Sequence, residues 1–256
     1  MSDIKYLKLT IYMKFVKIFA IVIMNLLLIG CDDKSKENTL TVATSADNPP
    51  YEFIQNGQIV GLDIDLINAI GAKLGKKIII KNFDFNGLLA ALSTGNVDMI
   101  IAGITVTEER KKHIKFSQTY MATNVSILCR VADNFQSASD LNDKVVGVQL
   151  GTTWAIIAQN LANQFNIRIN YLSNNLMLIE ELKSKVIDAI ILEEWQSKKF
   201  IANNQELVSF SLKDFSSEFA IALPNNSEFV DMVNKAIQEL KEDGTIGLIT
   251  KKWLQR

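Results

Sequence analysis

The sequence predicts an α/β protein built as two lobes of about equal size. Two series of alternating strand and helix patterns carry that expectation. They are separated by residues 119–124, which lack helical period, and a similar stretch recurs at 215–219. The composition agrees: 256 residues, 48% hydrophobic and 21% charged, with a mean hydropathy of +0.13, describe a globular chain. At about 150 residues per domain, that length suits one large or two modest domains.

In the first series, Leu40 and Val42 lie at period two in a strand over 39–44. Leu66, Ile70 and Leu74 then recur at helical spacing before Gly75, a helix stop, with Asp63 and Asp65 expected to start and cap that helix. A strand over 77–81, a helix over 86–94 closed by Gly95 and a strand over 97–102 complete a βαβαβ pattern. The second series has strands over 125–129 and 144–148, a helix over 153–163, a strand over 167–171, a helix to Lys183 and a strand over 187–192. Near the end, Phe229, Val233, Ala236, Ile237 and Leu240 form an amphipathic stripe stopped by Gly244, and a short helix to Leu254 follows.

The first thirty residues read differently. Lys14 and Lys17 precede an apolar run over 18–30 whose only polar member is Asn25, and the run ends at Cys31. Such a run is short against the roughly twenty residues a membrane span needs, and a basic start, a short apolar stretch and a small residue at the end describe an export signal rather than an uncleaved anchor. Leu28-Ile29-Gly30-Cys31 resembles a bacterial lipobox, which implies a lipidated Cys31, with palmitate among its acyl chains, as the mature N-terminus. A more typical signal of this kind starts at Met13, so Met1 and Met13 are both candidate starts. Residues 31–38 read as a polar tether, and Asp32 after the Cys resembles an inner-membrane retention signal. Residues 1–30 carry four lysines and one aspartate, so the exported body holds a net charge of −4 against −1 for the whole chain.

Several function classes drop out. With 27 basic against 28 acidic residues and a pI near 6.0, nothing gathers the positive charge that a nucleic acid demands. One histidine, His113, and two distant cysteines, Cys31 and Cys129, exclude the usual metal spacings and a histidine-based triad, so no metal and no cofactor are expected. Cys129 sits in an apolar strand as an inert residue, His113 on a charged face as a solvated one, and Trp154, Trp195 and Trp253 as packing. No Gly-x-Gly-x-x-Gly occurs, and no Lys follows Gly147 and Gly151 as a phosphate loop requires.

The stretch Gly103-Ile104-Thr105-Val106-Thr107-Glu108-Glu109-Arg110 is more informative. A strand leaves a Gly, Thr107 is a natural N-cap, and Arg110 carries a planar guanidinium that grips a carboxylate in bidentate fashion. Gly147 to Thr153 repeats the strand-to-helix turn without the Arg. Spacing alone leaves two readings open, an anion site or an ordinary turn with a solvated Arg.

Ala46-Asp47-Asn48-Pro49-Pro50-Tyr51-Glu52-Phe53, Gly61-Leu62-Asp63-Ile64-Asp65-Leu66, Val97-Asp98-Met99-Ile100-Ile101-Ala102-Gly103, Thr105-Val106-Thr107-Glu108-Glu109-Arg110 and Asp243-Gly244-Thr245 resemble, in order and spacing over nearly all of 39–254, signatures of the family 3 solute-binding proteins. The resemblance implies a type II periplasmic-binding-protein fold: two lobes, 39–121 with 220–256 and 122–219, two hinge strands and a ligand in the interlobe cleft. It implies an amino-acid receptor of an ABC importer that captures a polar amino acid by hinge closure and hands it to a membrane permease. By the same resemblance Arg110 holds the ligand carboxylate, helped by Thr105 and by backbone groups near Gly103, Thr152 and Thr153. Glu193, where the family usually has Asp, takes the ammonium, so the longer side chain must retract or shift the ligand. Phe85 packs on the ligand side chain. Asn48 stands where the family often has a second aromatic, and Ser45 where several members have an acid. Gln149 lies near the distal end of the ligand, and Asp47 is the residue that would restore a carboxylate there. A monomer, lipid-anchored to the cell membrane on the periplasmic side, is expected. The alternatives are an exported enzyme on the same scaffold, similar to a cyclic-acid dehydratase, and a ligand-presenting sensory protein. With the sequence ending at Arg256, no attached murein-cleaving domain is expected.

Overall fold

The computed structural model describes residues 38–255; the expected signal, Cys31 and the tether up to residue 37 lie outside the described residues. The chain runs β1 (Thr39–Thr44), β2 (Asp47–Asn48), β3 (Glu52–Gln55), β4 (Gln58–Val60), α1 (Leu62–Leu74), β5 (Lys77–Asn82), α2 (Leu88–Ser93), β6 (Met99–Ile100), α3 (Glu108–Lys111) and β7 (Ile114–Phe116). It continues through β8 (Met121–Arg130), β9 (Val145–Gln149), α4 (Thr153–Ala162), β10 (Arg168–Leu172), α5 (Asn175–Lys183), β11 (Ala189–Glu193) and α6 (Glu194–Asn203). The last elements are β12 (Leu207–Phe219), β13 (Ala222–Pro224), α7 (Phe229–Glu242) and α8 (Thr245–Leu254).

These strands form two five-stranded sheets, β5-β1-β6-β13-β7 and β10-β9-β11-β8-β12, and a small sheet β2-β3-β4. In sheet 1, β1 is parallel to β5 and β6, while β13 is antiparallel to β6 and β7. Alternate residues of one strand serve opposite faces. Val42 and Met99 join a core with Leu66, Ile67 and Ile70 of α1 and Val233, Ile237 and Leu240 of α7; Ala43 and Ile100 join another with Leu88 and Leu92 of α2. Each such aliphatic contributes about 1.5–3 kcal/mol by leaving water. Sheet 2 packs its own cluster, including Val146, Val148, Leu161, Leu178 and Ile190.

The chain crosses between the sheets along β8 and β12. These strands pair antiparallel from Met121↔Phe219 to Asn124↔Ser216, shift register between Leu212 and Ser216, and continue to Arg130↔Leu207. Tyr120 N–H bonded to Phe219 O and Ser117 N–H bonded to Ile221 O carry the ladder on into sheet 1. The expected two lobes and two hinge strands are thus present, and the aperiodic stretches at 119–124 and 215–219 are the crossing points.

Several sequence-based expectations need correction. The strand expected over 97–102 pairs only at Met99–Ile100, flanked by one bond on each side, Asp98 N–H to Thr41 O and Ile101 N–H to Ala43 O, because the chain turns away at Gly103. The helix expected over 86–94 opens as a 3-10 turn at Phe85–Gly87 before α2 begins. Asp63 and Asp65 do not cap α1. Gly61 occupies the N-cap with no side-chain bond, Asp63 is buried against Gly103 and Tyr120, and Asp65 accepts from Lys252 and Trp253. Cys129 is buried in β8, and burial pushes its thiol up to about 11, in keeping with an inert role.

Candidate functional site

Three groups of side chains lie where the lobes meet, each with a hydrogen bond across the junction. The first is built on Arg110. Thr107 caps α3, its Oγ1 accepting Arg110 N–H at 3.2 Å, as the sequence predicts. The guanidinium then donates from Nη1 to Thr105 O at 2.7 Å and from Nη2 across the junction to Gly151 O at 3.0 Å. Its carbon lies 5.9 Å from the Phe85 ring centroid. Thr153 Oγ1 meets Thr105 Oγ1 at 3.3 Å, a second contact between the halves. Gly151 has φ +84°, and a Cβ there would lie 3.1 Å from Asn86 Cα, so only glycine fits between the lobes at that turn. Among the described residues no carboxylate lies within ion-pair distance of Arg110; burial lowers its pKa to about 10, which leaves it cationic at neutral pH. The guanidinium is half-buried and held by two backbone carbonyls.

The second group centres on Asp47, 4% exposed. Its carboxylate accepts Ser45 Oγ at 3.2 Å, Gln149 Nε2 at 3.0 Å and Asn175 N–H at 2.7 Å, the last two from sheet 2 and the start of α5. Gln149 is fixed in turn, donating to Ser173 O at 3.1 Å and accepting from Asn175 Nδ2 at 3.0 Å. Burial raises the Asp47 pKa, and the bonds from Asn175, Ser45 and Gln149 oppose that rise. Every partner is neutral.

The third group centres on Glu193, fully buried at the N-cap of α6. Its carboxylate accepts the backbone N–H groups of Trp195, at 2.8 Å, and Gln196, together with Thr123 Oγ1 at 2.9 Å and, from the other lobe, Tyr51 OH at 3.3 Å. Burial raises its pKa to about 7 against those four donors. The side chain is folded back onto the N-terminus of its own helix, the first of the two outcomes the resemblance allows. Glu194 turns the other way, to Lys198 and Asn124, so the adjacent acids do not cooperate.

Behind these groups Asn48 and Gly103 are held by a buried acid pair. Asn48 Nδ2 donates to Glu52 Oε1 at 2.9 Å, and Gly103 N–H and Tyr120 OH donate to Asp63 Oδ2 at 2.9 and 2.8 Å. Glu52 Oε2 and Asp63 Oδ1 have no other partner, and their carboxyls face each other, so one proton shared between them satisfies both. Gly103 has φ +54° with the Asn48 amide 3.1 Å from where a Cβ would stand. Thr152 spends its hydroxyl at home: it accepts Ala155 N–H as the N-cap of α4 and donates to Gln149 O.

The structure therefore gathers Arg110 with Phe85, Thr105 and Thr153, and Asp47 with Ser45 and Gln149, leaving Asn48 and Gly103 one layer behind. The sequence reading passes over Tyr51, Thr123, Asn175 and the Glu52–Asp63 pair. No local pattern marks Thr123 or Asn175. The signal for Glu52 and Asp63 was present as charges inside otherwise apolar runs.

A family model for bacterial extracellular solute-binding proteins, family 3, matches residues 40–256. The arginine-binding extracellular protein ArtP of Bacillus subtilis (strain 168) is 34% identical over 223 residues, 86% of this chain and 88% of that protein. A probable histidine-binding protein of Campylobacter jejuni is 33% identical over 257 residues, 94% and 98% of the two chains. The solved structure of an ancestral arginine-binding protein bound to arginine superposes with a TM-score of 0.80 at 37% identity, covering 84% of this chain and 98% of that one.

Proposed function

Because the chain belongs to the bacterial extracellular solute-binding proteins of family 3, we propose that it captures a polar amino acid with a positively charged side-chain end, by hinge closure, for an ABC permease. The observation that carries the choice of ligand is the charge inventory of the junction. One cation, Arg110, has no carboxylate in reach, and two acids, Asp47 and Glu193, have only neutral donors. A ligand with one carboxylate and two cationic groups balances that set. Buried charges cost several kcal/mol each when unpaired, so balance decides affinity more than shape does. The names of those relatives, an arginine-binding protein, a probable histidine-binding protein and an ancestral arginine-binding protein, support the same class.

Arg110, with Thr105 and the backbone near Gly103, Thr152 and Thr153, takes the carboxylate. Glu193 takes the α-ammonium, and Asp47, with Ser45 and Gln149, takes the distal cation end-on. Stacking between two aromatics is not part of the reading, since Asn48, turned to Glu52, stands where the family often has the second aromatic. Direct bonds already span the lobes at Arg110–Gly151, Thr153–Thr105 and Asp47–Asn175, so a ligand that bridges the same groups favours closure by its higher affinity for the closed form.

Lobe boundaries at 39–121 with 220–256 and at 122–219 belong to the proposal, as do a cleaved signal over 1–30, a lipidated Cys31 and a monomeric state. Binding without chemistry is the reading for the cleft. The test is a melting screen of the detergent-solubilised chain against the common amino acids. A ligand at 100 times its Kd stabilises by about 2.7 kcal/mol, a rise of roughly 5–10 °C for a chain of this size. Arginine, lysine or histidine is expected to give the largest rise, and a largest rise with glutamate or an aliphatic amino acid would reject the charge argument.

A further inference from the structure

We infer that Tyr51 is a positioning residue for the ligand: its hydroxyl, carried by lobe 1, holds the Glu193 carboxylate of lobe 2 and so ties engagement of the ligand ammonium to hinge closure. The inference rests on the reading of Glu193 as the ammonium acceptor.

The placement of Tyr51 supports no looser role. It lies between β2 and β3 with no exposed surface, its N–H bonded to Asn48 O and its carbonyl accepting Asp63 N–H, both at 2.9 Å. Its ring meets Phe219 of the hinge strand β12 edge-on, centroids 5.4 Å apart at 84°. From that fixed ring the hydroxyl reaches Glu193 Oε2 at 3.3 Å, the same oxygen that accepts Thr123 Oγ1 of the other hinge strand at 2.9 Å. One carboxylate oxygen thus collects a donor from lobe 1, a donor from a hinge strand and the Trp195 N–H of its own helix, at 2.8 Å. The remaining acceptor direction lies on Oε1, which otherwise takes only Gln196 N–H.

Chemistry makes the tyrosine necessary. Among the described residues no cation stands within ion-pair distance of Glu193; the titratable groups around it are Tyr51 itself, Asp63 behind that ring and Glu194, which is turned to Lys198. Burial raises the Glu193 pKa to about 7, only neutral donors oppose that rise, and Tyr51 is the donor that lobe 1 contributes across the junction. Opening the hinge removes that donor and makes the carboxylate a poorer acceptor for an ammonium, so ligand release and loss of the Tyr51 bond favour each other.

The experiment uses the full chain in detergent with Tyr51→Phe, which keeps the ring and its Phe219 contact, with Glu193→Asp and with the double variant. L-arginine and L-glutamine are the probes. Calorimetry from pH 5 to 9 is expected to show about ten-fold weaker binding for Tyr51→Phe at pH 7. Affinity rises with pH as Glu193 ionises, and the midpoint of that rise should move upward in the variant, because a lost donor makes the charged form harder to hold. Small-angle scattering without ligand should show a wider mean lobe separation for Tyr51→Phe than for wild type. In Glu193→Asp, whose carboxylate is drawn back from the ring, adding Tyr51→Phe should change neither quantity. An unmoved midpoint together with an unmoved lobe separation would overturn the inference even if affinity fell. Equal effects of Tyr51→Phe in wild type and in Glu193→Asp would overturn it as well. If neither probe binds wild type, and lysine and histidine do not bind either, the proposed function fails, and the scattering comparison still tests the Tyr51 contact.

Discussion

Asp47 and Asn175 meet across the two lobes, the Asp47 carboxylate accepting the first backbone N–H of helix α5 at 2.7 Å. Asp47 is thereby aimed by sheet 2 although it is carried by the small sheet of lobe 1. Its neighbour in sequence, Asn48, is turned to Glu52 instead.

Asp47→Asn removes the charge and keeps the oxygen that Asn175 and Gln149 address. Affinity for arginine should fall about ten- to a hundred-fold, the loss of one charge-assisted bond, while affinity for its uncharged analogue citrulline stays within about three-fold. Calorimetry on both ligands checks this; equal losses would remove Asp47 from the side-chain contact.

Arg110→Met keeps much of the side-chain length and strips the counter-charge from the ligand carboxylate. The expected cost is about 3–5 kcal/mol, two to four decades in affinity. An amidated ligand should bind wild type poorly and be discriminated less by the variant, and Arg110→Lys should restore only part of the loss because an ammonium lacks the planar fork. Unchanged affinity of Arg110→Met for the best amino acid would refute the carboxylate assignment.

Glu52 gives a pH prediction. Burial first, then the Asp63 charge, raises its pKa well above the usual carboxylate value. A raised carboxyl contributes stability that is complete below the unfolded pKa, near 4.3, and is lost as pH climbs from there through the folded value, by about 1.4 kcal/mol per unit. Glu52→Gln accepts from Asn48 and donates to Asp63 without titrating. Its melting temperature should therefore fall less steeply than that of wild type above pH 5, with the variant gaining on wild type toward pH 9. Parallel melting curves across that range would show that Glu52 is ionised in the fold.

Cys31→Ala tests the anchor. Acyl chains supply roughly 0.8 kcal/mol per buried CH₂, so the variant should leave the membrane fraction or keep its signal, and its mass should change accordingly. Identical fractionation and no loss of lipid mass would sink the lipidation proposal.

Much of the fold was legible because it rests on local periodicity. The α1 and α7 stripes, the Gly75 and Gly244 stops and the Thr107 cap all depend on residues within a turn or two of each other. The sheet β2-β3-β4, the extent of helix α6 and the length of β12 were not legible. Each depends on partners far along the chain, as β12 does on β8, and their own patterns are short or polar. The site divides the same way. Arg110 and Thr105 lie in one continuous motif, whereas Tyr51 lies 142 positions from Glu193 and Gln149 lies 102 from Asp47. Asp63 and Asp65 were misjudged together because acids at a helix start suit both a cap and a buried support, and only the third dimension separates Asp63 under Gly103 from Asp65 beside Lys252.

The place of β13 also fixes an order of assembly. Sheet 2 draws on one continuous stretch, but sheet 1 needs Ala222–Pro224 as the strand between β6 and β7, with α7 to follow. While the chain emerges from its N-terminus, the lobe that begins first is the one that must wait, its apolar strands uncovered until some hundred further residues have appeared. A chain cut before Ala222 should protect the amides of β8 to β11 and leave those of β1 and β6 exchanging freely, a contrast that hydrogen exchange on the fragment reads directly.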